Sequence, residues 1–437
     1  MTDQSGSFGQ ELRRRREDAR LSLSTLAARV HYSTGYLSKI ENGRKPPTAD
    51  LARLCDAELG AGGRLAALVA TGPVPGAVHH DVTSDAADAD EDDTWTISLA
   101  SDGSGGVVPL DRRKLLKTGA GALIGLGFSG HGVAAAARDG SALLAFRAQF
   151  DQLRRFGQTT SPSVVLPTLI VQTRTVGAIA DRADPALRSE LLGLAARYSE
   201  FAGWMAQEAG NDRAAGWLTS WAVDLAVAGG DRHFERYALV RKADLAMYRY
   251  DATSTIGLAG EAQRDETAPA RVRAIATMRE AQGHALAGDY DTCLRVLDRA
   301  TRLFELAAVE DSPGPVLGSP NMNDPIATAR AWCLYEVGRP AEAAAGLDLV
   351  VKGLAPDARR ARALWGARLV LAHAVAGEID HACASAGAVL DDAEIVDSAT
   401  ARHDLRALSR TLTRWRNHPP VRELMPRLTR VLHTPGG

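Results

Sequence analysis

The chain has 437 residues, which is too long for one compact domain and enough for two or three. Hydrophobic residues supply 45% and charged residues 24%, a balance that supports packed cores and excludes a wholly disordered chain. The formal net charge is only −2, so the molecule as a whole carries no mark of a polyanion binder, and four cysteines (Cys55, Cys293, Cys333, Cys383) with no CxxC argue against a disulfide framework or structural zinc.

Charge is unevenly distributed. Residues 1–71 hold 11 Lys/Arg against 8 Asp/Glu, whereas residues 72–109 hold none against 8. Within the basic first part, Leu21 to Arg44 reads as two short helices joined by a tight turn, with a polar stop after the second. Leu26, Ala27, Val30, Leu37 and Ile40 fall on facing sides of the pair. Ser22 and Ser33 stand where a side-chain oxygen caps the first amides of each helix. Left outward on the second helix are Thr34, Gly35, Tyr36, Ser38 and Lys39, a hydrogen-bonding face with no core to serve. A helix that reads the DNA major groove is built this way.

Together with Glu41, Asn42, Gly43 and Arg44, this stretch resembles the XRE family of phage-repressor helix-turn-helix domains over roughly residues 8 to 70. The resemblance implies a five-helix head on residues 1–71 and double-stranded DNA as partner. It places Thr34, Tyr36, Ser38 and Lys39 at base edges, and Ser22, Asn42, Arg44 and Lys45 at phosphates. It also implies an ion pair between Arg16, one of a run of four arginines, and Glu41. One position departs from the family: His31 stands at a turn site often held by glycine.

Residues 72–109, rich in Pro, Gly, Ser and Asp with an acidic cluster at Asp88, Asp90, Glu91, Asp92 and Asp93, read as a flexible linker whose only apolar anchors are Trp95 and Ile97. Residues 110–140 open with Asp111-Arg112-Arg113-Lys114 and continue into a Gly/Ala-rich uncharged run, resembling a twin-arginine signal. Its position more than 100 residues into the chain, six glycines and His131 favour a soluble segment over a membrane contact or true export.

Residues 141–437 read as helical hairpins with the period of tetratricopeptide repeats. In the clearest unit Ala281 stands where two helices cross, Gly288 ends the first helix and Ala300 lines the second. Ala331, Gly338 and Ala343, then Val370, Gly377 and Ala382, and earlier Gly203, Gly210 and Ala215 recur at matching offsets. Ala308–Pro325, with Asn321 and Asn323, reads as a long loop. No catalytic motif, metal site or cofactor site stands out.

The fold class expected is all-α, a five-helix repressor-like head plus a tetratricopeptide-type solenoid. In both halves the chain resembles actinobacterial regulators. The function implied is a cytoplasmic homodimeric transcription regulator on a palindromic operator, with repeats that dimerise, sense a peptide or protein ligand, or both. The alternative is a membrane-tethered or exported tetratricopeptide scaffold that uses residues 110–137 as anchor or signal.

Overall fold

The computed structural model describes residues 8–70, 94–99, 105–110, 140–309 and 324–433. It is helical apart from one two-stranded hairpin, and its described residues form two compact units. One joins residues 8–70 to 235–433, and the other lies within residues 94–234.

The head has five helices: α1 (Phe8–Asp18), α2 (Leu23–Arg29), α3 (Thr34–Glu41), α4 (Ala49–Glu58) and α5 (Arg64–Ala70). Ser22 and Ser33 cap α2 and α3, accepting from Thr25 N at 3.0 Å and Tyr36 N at 3.2 Å. Thr48 caps α4 in the same way, with Leu51 N as donor at 3.2 Å. All five apolar positions read from the spacing are buried, together with Leu12, Leu51 and Leu65. His31 takes φ +55, closing α2 with Tyr32 N donating to Ala27 O at 2.9 Å and His31 N to Ala28 O at 3.3 Å. That is the Schellman arrangement usually given to glycine. Gly9 lets α1 cross α3 closely, since a Cβ there would sit 2.3 Å from the Ile40 carbonyl oxygen.

In the second unit, β1 (Thr94–Leu99) pairs antiparallel with β2 (Gly105–Leu110), in a register that sets Trp95 opposite Pro109 and Ile97 opposite Val107. The expected linker 72–109 is thus not featureless throughout. Alternation of Trp95, Ile97 and Leu99 with polar residues is the strand signal that the surrounding composition obscured. Four helices follow: α6 (Ser141–Phe156), α7 (Pro162–Ala180), α8 (Pro185–Glu208) and α9 (Asp212–Ala228). Among the described residues, α7 is the one helix long and apolar enough to cross a membrane, and half of it is buried inside the protein. The signal-like run at 111–139, the acidic cluster at 88–93 and the loop residues Asn321 and Asn323 lie outside the described residues.

The first unit continues with α10 (Phe234–Tyr248), α11 (Ala252–Ala262), α12 (Ala270–Leu286), α13 (Tyr290–Val309), α14 (Pro325–Glu336), α15 (Pro340–Lys352), α16 (Arg359–Val375), α17 (Ile379–Val396), α18 (Ala399–Leu412) and α19 (Pro419–His433). A 3-10 turn, Thr413–Trp415, joins the last two. These are the expected helical hairpins. Ala281, Cys293, Leu297, Ala331, Ala343, Leu347, Val370, Ala382 and Ala386 are all buried where paired helices touch. Gly288, Gly338 and Gly377 end α12, α14 and α16 at φ +78, +82 and +83.

The head does not stand apart from these repeats. Leu26, Leu37 and Leu51 belong to the same continuous apolar cluster as Tyr335, Leu371 and Leu412. Successive hairpin turns meet successive parts of the head. A Cβ on Gly288 would lie 2.4 Å from Gly63 Cα, one on Gly338 would lie 2.1 Å from Arg53 O, and one on Gly377 would lie 2.7 Å from His31 Nδ1. At the next turn the Arg414 guanidinium lies 4.2 Å from the Tyr32 ring centre. The flexible linker read at residues 72–109 gives no hint of this docking, and these backbone approaches give no signal in sequence beyond glycines already explained by their turns.

Gly338→Ala is therefore expected to loosen the head from the repeats, because its φ and its approach to Arg53 both exclude a side chain. Gly387→Ala, in open space on α17, should be neutral or stabilise by up to about 1 kcal/mol. Amide exchange across α4 should accelerate in the first variant and not in the second. Equal protection in both would contradict the docking.

Candidate nucleic-acid interface

The face opposite the head core is assembled by α3 and its two ends. Leu37 and Ile40 point inward and fix the rotation of the helix, which leaves Thr34, Gly35 and Lys39 exposed. Ser38 is half-buried beside them. Gly43, at φ +67, ends the helix with Arg44 N donating to Lys39 O at 2.8 Å and Gly43 N to Ile40 O at 2.9 Å. Asn42 donates its side-chain amide to Ser38 O at 2.8 Å, so it serves the helix end while remaining on the surface. Past this stop, Arg44 and Lys45 are exposed.

Ser22 is likewise exposed but engaged. Its hydroxyl caps α2 and lies 2.7 Å from Thr25 Oγ1. Tyr36 is less open than a residue serving bases alone. Its ring lies 5.3 Å from that of Tyr32, and the Lys45 ammonium sits 4.4 Å over its face. Burial pushes the Tyr36 hydroxyl above its usual pKa, keeping it a neutral donor. The structure thus brings Thr34, Ser38, Lys39, Asn42, Arg44 and Lys45 to one surface of the head, with Tyr36 at its edge.

Beneath that surface Arg16 and Glu41 meet. Arg16 Nε donates to Glu41 Oε1 at 2.7 Å and Nη2 to Oε2 at 3.0 Å, a two-pronged pairing of planar groups. The third donor goes to Leu21 O at 3.0 Å, so one guanidinium ties α1 to the α1–α2 turn and to the end of α3. The Glu41 side chain is 2% exposed, and half-exposed Arg13 approaches it at 3.4 Å. Of the four consecutive arginines, Arg16 is structural, while Arg14 and Arg15 pair with Glu11.

Arg53 on α4 was not singled out by the sequence. Its Nη1 lies 3.1 Å from Glu336 Oε2 on α14, and its Nη2 donates to Asp50 at 2.7 Å. Glu336 is fully buried and also accepts from Arg368 at 2.6 Å, while Arg368 reaches Asp404 at 2.8 Å. Burial alone would lower the pKa of both arginines. The carboxylates outweigh it, Glu336 and Asp50 for Arg53, Asp404 and Glu336 for Arg368, and both stay charged. A chain of charges therefore runs from the head into α14, α16 and α18, the first helices of three successive hairpins. Spacing could not reveal it, because Arg53 meets Glu336 only through the fold and the further steps to Arg368 and Asp404 span 32 and 36 residues.

A family model described as a helix-turn-helix domain matches residues 7–69, so the head is a helix-turn-helix domain. No curated protein matches the chain. Among solved structures, a Rap protein in complex with competence and sporulation factor is similar at 12% identity and a TM-score of 0.40, over 67% of this chain and 98% of that one.

Glu41→Gln should lower the stability of the head by about 3–5 kcal/mol, because it strands a largely buried guanidinium. Urea denaturation followed at head-specific amides would measure it. A midpoint equal to that of the parent would show that the pair contributes nothing.

Proposed function

We propose that this chain is a sequence-specific DNA-binding transcription regulator of the XRE, phage-repressor type. The observation that carries the proposal is the exposed polar face Thr34–Lys39, set on a helix whose opposite side is fixed in a core and whose end presents Arg44 and Lys45. Such a helix has its polar side chains free for base edges, while cations at its rim suit phosphates. In this reading Thr34, Ser38 and Lys39 contact bases, Tyr36 contacts them from the edge, and Ser22, Asn42, Arg44 and Lys45 hold the backbone. Lys39 donates to guanine O6 or N7.

One head fits one half-site, so the active species is a homodimer on a palindromic operator with half-sites about one helical turn apart. The protein works in the cytoplasm, and its helical repeats receive a peptide or protein ligand. Such a ligand alters operator affinity only if it favours one arrangement of the heads, and DNA then alters ligand affinity by the same factor. The Arg53–Glu336–Arg368 chain offers a physical route for that coupling, since rearranged repeats would have to break or move it.

Genome-wide mapping of bound DNA, followed by binding measurements on the recovered site, tests the reading. Lys39→Ala should cost about 1–3 kcal/mol on that site and relax preference at one base pair. Arg44→Ala should weaken all duplexes alike and reduce the salt slope by about 1. Identical losses from both variants on specific and random DNA would overturn the assigned roles.

A further inference from the structure

The last two helices carry a larger net positive charge than the head. Between Ser398 and Gly437 the chain carries eight arginines and two carboxylates, Asp404 and Glu423, in a protein whose overall charge is −2. Two of these arginines are answered elsewhere: Arg402 pairs with Asp397, and Arg427 pairs with Asp391 and Glu394. Arg406, Arg410 and Arg416 are exposed and make no ion pair among the described residues. Four-residue steps from Arg402 through Arg406 and Arg410 to Arg414 set cations about 6 Å apart along one slowly winding stripe.

Where that stripe ends gives it meaning. Arg414 is held between the Tyr32 and Trp415 rings, 4.2 Å and 4.5 Å from their centres, and its Nε donates to Thr411 O at 3.3 Å. Tyr32 immediately precedes the α3 cap Ser33, and its ring lies 5.3 Å from that of Tyr36, over which Lys45 sits. Stacked cations and rings therefore lead without a break from the last repeat turn to the rim of the reading helix. A solvated arginine face would serve solubility anywhere on the protein. Here Arg406, Arg410 and Arg416 lie without ion pairs among the described residues, on the element whose last turn meets Tyr32 next to the helix assigned to DNA.

We propose that Arg406, Arg410 and Arg416 form a second DNA-contacting surface, which grips phosphates flanking the bases read by α3. The proposal rests on the DNA-binding reading of the head and extends the footprint beyond it. A DNA strand offers a charge every 3.4 Å or so along the axis, so a row of guanidinium forks meets several without sequence preference. The occupant is duplex DNA. RNA and anionic membranes are the competitors that the test separates.

The experiment uses the full chain and fluorescence anisotropy across a salt series, with mixed-sequence duplexes of about 12 and about 30 base pairs, roughly one and three helical turns. In the triple variant R406Q/R410Q/R416Q the salt slope on the long duplex should fall by about 2–3, near one per lost phosphate contact. The short duplex should show little change, and R406K/R410K/R416K should restore the slope. If the glutamine variant melts below the parent, Arg416→Gln alone, exposed beyond the 3-10 turn, should still reduce the slope by about 1. A parental slope in these variants, with Arg44→Ala still weakening binding, overturns the second surface and leaves the head reading standing. So does a loss confined to single-stranded RNA or to phosphatidylserine vesicles. Absence of duplex binding by the parent itself would overturn both readings.

Discussion

Glu336 is the point on which the first unit depends. Its carboxylate is fully buried and lies between Arg368 of the neighbouring repeat helix and Arg53 of the head. A buried charge is tolerated only where its partners offset lost hydration, and here the offset comes from two separate parts of the chain. Moving the head away would leave Glu336 with one partner and a solvent-facing vacancy where Arg53 had been. Replacing the whole set with apolar residues need not weaken the fold. What the charges add is direction, because an oily contact tolerates sliding and a guanidinium–carboxylate pair at about 3 Å does not.

Backbone approach adds a second layer of the same constraint. The turns after α12, α14 and α16 each close with a left-handed glycine, and at Gly288, Gly338 and Gly377 the missing side chain leaves room for the head. In the head, His31 is a left-handed non-glycine whose ring lies against Gly377. Its departure from the family habit thus has a local cause. The imidazole fills space that a glycine would leave empty, at the modest cost of a left-handed histidine. Turn chemistry and docking are satisfied by the same atoms.

Local features of the fold were legible, and long-range ones were not. Caps at Ser22 and Ser33, the core positions Leu26 to Ile40 and the small residues at hairpin crossings follow from spacing, because helix period and cap chemistry act within a few residues. The meeting of Arg16 with Glu41 came from family resemblance, and spacing alone would not have chosen it among four arginines. Gly9, Arg53 and Arg414 were invisible for one shared reason. Each matters through a partner brought close only by the fold, and nothing in its own neighbourhood distinguishes it. The strand pair at 94–110 was missed differently, since its alternation is short and sits in a segment whose composition argues for a linker.

Charge partition connects these observations to function. The acidic excess lies in residues 72–109, while the basic excess lies in the head and, more strongly, in the last helical pair. Electrostatic attraction to a polyanion depends on local charge within about a Debye length, about 8–10 Å near physiological salt, so the near-zero total conceals the relevant quantity. Head docking places two basic regions side by side, through Arg414 against Tyr32. An unattached head would present only its own modest excess, and repeats alone would present arginines with no base-reading helix to orient them. If the head lifted from Glu336, the two basic regions would separate, and on the proposed reading their phosphate contacts would no longer add to base contacts on one duplex. A rearrangement of the repeats therefore has a direct way to change DNA affinity without altering a single residue of α3.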